Sequence, residues 1–223
     1  MQITLVDEGI TISTSNLLSA TLRTDLVPVP ISLEMNVQNS DDLEGKLAIG
    51  TKLTVGELGI DLTIIVSQPF ESQTIKDGRR VSGVACVAIP LGCESLITPL
   101  AKAVIQDSTS MNSAMRACGL RAKLGADVPL PKFVCLRGTI PTERIALYAQ
   151  QESAVIAYQN KKIGAFKITE LLKQPEKITL DESAVAWIES DRLQSIQTAS
   201  YVGVGTDGST YMGEDASTNR NIK

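Results

Sequence analysis

A chain of 223 residues, 43% hydrophobic and 21% charged, can bury one large core or two small ones and is too apolar to stay unfolded. Its formal charge of −4 and sequence pI near 5.0 leave no basic excess for neutralising a phosphate backbone, so general nucleic-acid binding is not expected. Histidine is absent, which excludes Ser-His-Asp and Cys-His nucleophile systems, the common catalytic zinc sites and the two-histidine iron site.

Aromatic residues make up only 4% of the chain, so the core must rest on Leu, Ile, Val and Ala. The opening stretch MQITLVDEGITIS alternates like a strand and lacks the basic start and apolar block of a signal peptide. No apolar run is long enough to cross a bilayer, so a cytosol-made protein without membrane insertion is expected. Short strands are predicted at Gln2–Val6 and Gly9–Ser13, then at Val29–Gln38, where Ile31, Leu33, Met35 and Val37 share one face. Asn39–Glu44 reads as a polar turn. Strands at Lys46–Ile49, Lys52–Val55 and Ile60–Ser67 follow, separated by glycines at 50, 56 and 59 that suit tight turns. Asp77-Gly78 signals a hairpin between Phe70–Ile75 and Arg80–Ile89. Short strands with glycine turns predict a small antiparallel β-barrel over residues 1–92.

From residue 93 to 131 the pattern predicts a helical insertion. Thr98-Pro99 reads as an N-cap and first helical residue of a helix to about Gln106, with Leu100, Ala103 and Val104 inward. Ser108 or Ser110 caps a second helix carrying Met111, Ala114, Met115 and Cys118 on one face, and VPLP at 128–131 reads as an extended connector. Residues 132–202 predict a strand–helix–hairpin module. Its parts are a strand at Phe133–Leu136, a helix from Pro141 to about Glu152, and strands Ala154–Tyr158 and Ile163–Ile168 around Asn160-Lys161-Lys162. One helical turn at Thr169–Lys173 stops at Pro175, and further strands fit Lys177–Leu180 and Val185–Glu189, the latter holding Trp187. Residues 203–223 read as a polar C-terminal arm, either a mobile tail or one that orders on a partner. The fold class expected is α+β, mainly β.

The chemistry-bearing residues assemble into no motif. Cys86, Cys93, Cys118 and Cys135 contain no CxxC pair and sit in apolar stretches, which predicts four buried free thiols. Asp41, Asp42 and Glu44 lack the alternating ligands of a calcium loop and read as a solvated turn. Glu143 and Glu152 are a carboxylate pair on one helix whose separation the sequence leaves open. Ser95 and Ser209 lie outside any GxSxG elbow, and GVGTDGS lacks the strand and helix of a dinucleotide fingerprint. Basic knots at Lys76/Arg79/Arg80, Arg116/Arg121/Lys123 and Lys161/Lys162 read as solvated faces. No catalytic, cofactor-binding or metal-binding residue is assigned.

The run VPVPISLEMNVQNSDDL, then KLAIGTKLTVG and IDLTIIVSQPFES, resembles the first small barrel of phage tail or baseplate hub proteins. RGTIPTERIALYAQQESAVIAYQNKKIGAF is similar to that family's next module, a helix followed by a short hairpin with a basic loop residue. Hub proteins continue into a complete second barrel, whereas only about fifty residues follow this hairpin, so either a truncated second barrel or a smaller tail component of related build is expected. The resemblance implies a non-enzymatic virion component, made in the host cytoplasm and built into the tail. It would form a homo-oligomeric ring, trimer or hexamer, against other tail or baseplate proteins. Two other classes remain open: a carboxylate-dependent cell-wall hydrolase of the tail, and a cytosolic adaptor or chaperone that binds an apolar peptide.

Overall fold

The computed structural model describes residues 2–39, 43, 45–56, 58–76, 79–175, 200–204 and 210–214. The chain divides into two compact units, Met1–Gln174 and Pro175–Lys223. In the second, β12 (Ser200–Val204) pairs antiparallel with β13 (Thr210–Glu214). The segment expected as a polar arm from Gly203 therefore contributes strand residues to a hairpin. The expected strands at 177–180 and 185–189, and Trp187, lie outside the described residues.

The first unit begins with a curled seven-stranded half-barrel, every neighbouring pair antiparallel, in the order β2-β1-β5-β6-β7-β4-β3. Its strands are β1 (Ile3–Leu5), β2 (Ile10–Thr11), β3 (Leu17–Thr24), β4 (Ile31–Gln38), β5 (Lys52–Val55), β6 (Ile60–Lys76) and β7 (Arg79–Pro90). Alternation decides which face is buried. Ile31, Leu33, Met35 and Val37 of β4 join Ile3, Leu5, Leu53, Val55, Ile60, Leu62 and Ile64 in one apolar cluster. Burying one such side chain contributes about 1.5–3 kcal/mol, so this inward row holds the sheet in its register.

The sheet departs from the sequence reading in three respects. It is an open half-barrel, because β2 and β3 end it and do not pair with each other. Lys46–Ile49 is a turn, not a strand; Thr51 Oγ1 donates to the Lys46 carbonyl and Ser67 Oγ to that of Leu47 at 2.5 Å, fastening the loop against β6. β3 was not expected, since its inward row of Leu17, Ala20 and Leu22 is only half-buried and a register shift between Leu17 and Ser19 breaks its alternation. The Asp77-Gly78 turn and the Asp41/Asp42/Glu44 cluster lie outside the described residues, but the hairpin pairing of β6 with β7 extends to Lys76↔Arg79.

A second apolar cluster occupies the other side of β6 and β7, where the bulge residue Ile65 and Ile89 meet it. It is built from β8 (Val104–Ser110), α1 (Met111–Ala117), β9 (Pro129–Cys135), α2 (Pro141–Gln151) and the hairpin β10 (Ala154–Gln159)/β11 (Lys162–Lys167), followed by one turn, α3 (Ile168–Leu171). Ser110 caps α1 by accepting from the Ser113 N–H, and Met111, Ala114, Met115 and Cys118 face inward. Asn160 and Lys161 form the two-residue turn, both with positive φ.

The helix expected over Thr98–Gln106 does not form. Only a 3-10 turn, Glu94–Ile97, precedes this point, and Thr98 is extended, as a residue before proline prefers. Thr139 and Gly138 then engage both backbone groups of Leu100, and the β-branched run from Val104 pairs with β9. Tertiary pairing overrides the local start signal. Three residues of the VPLP connector, Pro129–Pro131, likewise open β9. Its prolines are tolerated because β9 pairs on one side only, and Ser108 opposite Pro131 takes φ 48.

Candidate functional site

All four cysteines are free and buried. Burial pushes the Cys86 thiol up to about 11, and the Cys93 and Cys118 thiols up to about 12. They are core residues and not nucleophiles. Glu152 pairs with Lys167 at 3.5 Å, whereas Glu143 lies in the first turn of α2. Nine residues of helix set them about 14 Å apart along the axis. Glycosidase carboxyl pairs span roughly 5–9.5 Å, so these two are not brought together as a catalytic pair. The Ser95 hydroxyl is buried in the 3-10 turn without a hydrogen-bond partner among the described residues. Ser209 lies outside the described residues. Among the described residues no group of three or more Cys, Asp or Glu is placed to hold a metal ion, and no helix is long and apolar enough to cross a membrane.

The basic knots behave differently from one another. Arg116 folds back to donate from its guanidinium to the Leu120 carbonyl at 2.8 Å, closing the end of α1. Arg121 and Lys123, from the same knot, join Lys161 of the β10/β11 turn around a cleft of about 560 Å³ at the seam between the two clusters. Two carboxylates share the walls. Asp61 accepts from the Thr54 hydroxyl at 2.7 Å, and Glu94 from the Gly92 N–H at 3.2 Å. Tyr158 also lines the cleft, packing against both apolar clusters, and burial raises its hydroxyl pKa above the usual value, with Asp61 adding to the shift.

Two glycines allow this construction. At Gly92, φ is 89 and a Cβ would fall 2.7 Å from the Ala122 nitrogen, so only glycine lets the Arg121–Lys123 segment cross so closely, with the Arg121 N–H donating to the Gly92 carbonyl. At Gly59, φ is 57, a left-handed turn position that glycine favours, and the Lys161 ammonium lies against this turn. Sequence reasoning found these cations only as separate knots. Nothing local signals that a β10/β11 turn will meet the α1–β9 connection.

A second concavity, about 400 Å³, is mostly apolar and runs between the β3–β4 loop and α2, with Leu26, Val27, Ala146 and Ile168 on its walls. The edge strand β3 also presents, on its outer side, a row of backbone groups with no strand partner among the described residues. No protein-family model and no curated protein matches this chain.

Proposed function

We propose that this chain is a structural component of a bacteriophage tail, joining the tail tube to the tip or spike as a ring of identical subunits. The observation that carries the reading is the open half-barrel. Eight residues of β3 form one edge of a curled antiparallel sheet, with the half-buried Leu17, Ala20 and Leu22 facing inward along it. A strand from a neighbour that paired with β3 would satisfy its backbone groups and cover that apolar row in one step. The resemblance of the two modules to hub proteins supplies the biological setting. Light scattering across a concentration series, with negative-stain images of the same fractions, tests it. A closed three-fold or six-fold ring is expected. A chain that stays monomeric throughout, and stays apart from tail proteins on co-expression, counts against it.

The apolar groove beside Leu26 and Val27 favours a second reading, an adaptor that holds an apolar peptide. Binding of such a peptide by a persistent monomer would select it.

A further inference from the structure

The cations at the seam cleft play no part in strand addition, and we propose that this cleft binds the side-chain carboxylates of an acidic peptide segment, received by Arg121, Lys123 and Lys161. This goes beyond the assembly reading and does not depend on it, since a monomer contains the whole cleft.

Three observations carry it. First, the chain is acidic overall, yet three cations from two separate elements converge on one concavity, and none forms an ion pair with a described residue. The two acids on the same walls each hold a hydrogen-bond donor of their own, Thr54 for Asp61 and Gly92 for Glu94. Second, Lys161 occupies a left-handed turn position, φ 60, where glycine is the favoured residue. Its ammonium lies against Gly59 on the same cleft, which brings the charge from the turn to the cleft wall. Third, the Tyr158 hydroxyl stays protonated well past neutral pH and is therefore a donor at the cleft wall.

The walls also discriminate. Asp61 and Glu94 repel a densely charged polyphosphate or nucleic acid, whereas a peptide can space its carboxylates among the cations. Pro90, Leu91 and Ala122 give its aliphatic carbons an apolar surface. The volume falls within the roughly 300–1,000 Å³ of ordinary ligand sites.

The experiment is fluorescence anisotropy of a labelled penta-glutamate peptide titrated with the full chain at low salt. Unlabelled peptide and inorganic pyrophosphate serve as competitors. Saturable binding that weakens with salt is expected, with unlabelled peptide the better competitor. The Arg121→Gln/Lys123→Gln double variant should bind about tenfold more weakly or worse. Lys132→Gln, an exposed control away from the cleft, should bind unchanged. Lys161→Gly separates binding from folding. It installs the favoured Asn-Gly turn, so the melting temperature should rise while peptide affinity falls. The proposal is overturned if the native chain does not bind the peptide, or if Lys161→Gly or the double variant binds as tightly as native. Pyrophosphate displacing the label more effectively than the peptide itself would overturn it too, reassigning the cleft to phosphate.

Discussion

The two apolar clusters of the first unit are built on opposite plans. The half-barrel buries alternate residues of strands most of which pair with a sequence neighbour, so its inward row can be read by counting in twos. The second cluster gathers the two-stranded β8/β9 pair, two short helices and the β10/β11 hairpin, none able to bury its own apolar face alone. Phe133 shows the consequence. It is fully buried, and its ring lies 5.1 Å from that of Tyr148 on α2, whose hydroxyl accepts from the Val134 N–H. The first region is specified by period, the second by mutual support among parts.

That difference can be broken or sharpened by experiment. The largest effects come from core truncation. Phe133→Ala should cost about 3–5 kcal/mol and Leu33→Ala about 2–5 kcal/mol, measured by urea unfolding. Cys86 in the half-barrel and Cys135 in the second cluster then serve as regional reporters of thiol exposure. Because Tyr158 touches both clusters, the two thiols should react at the same midpoint in either variant. Separate midpoints would show that the regions unfold independently.

Next comes alkaline pH. Folded thiol values near 11 to 12 lie above the 9.0 of an exposed cysteine, so the folded chain holds these protons more tightly. The stability they contribute is complete below pH 9 and is lost as pH rises from 9 towards 12. Melts between pH 7 and 11 should show that decline, and Cys93→Ala should flatten it more than Cys86→Ala. A smaller effect is expected at the Ser110 cap, where Ser110→Ala should cost about 1 kcal/mol. Smallest is the exposed pair of Lys132 with Asp107 at 3.4 Å, whose removal should change stability by less than about 1 kcal/mol in a double-mutant cycle.

Legibility in the sequence followed the same division. The row Ile31, Leu33, Met35, Val37 announced β4, and Ser110 with its methionine face announced α1, because in each the local pattern and the tertiary environment agree. β3 was hidden because its inward residues lie at an open edge and are buried only in part. The segment after Pro99 misled because an N-cap signal preceded residues whose pairing with β9 outweighed it. The cleft was invisible for a different reason. Arg121 and Lys161 are neighbours only through the folded seam, and a charge that looks solvated in sequence gives no sign of what it will face.

The bulge in β6 makes a phase change. Up to Ile64 the even-numbered residues face the half-barrel core. Ile65 is left without a partner between Ile64↔Ala88 and Val66↔Val87, and beyond it the odd-numbered Ser67 stands opposite the buried Cys86. One strand thus feeds two cores from consecutive isoleucines, Ile64 to one and Ile65 to the other. Deleting Ile65 would let Val66 follow Ile64 directly, so Val66↔Val87 and Ser67↔Cys86 would keep their partners and faces, while the second cluster would lose the side chain that this strand sends to it. The unpaired residue thus serves the second core while the pairs on either side of it stay in register for the first.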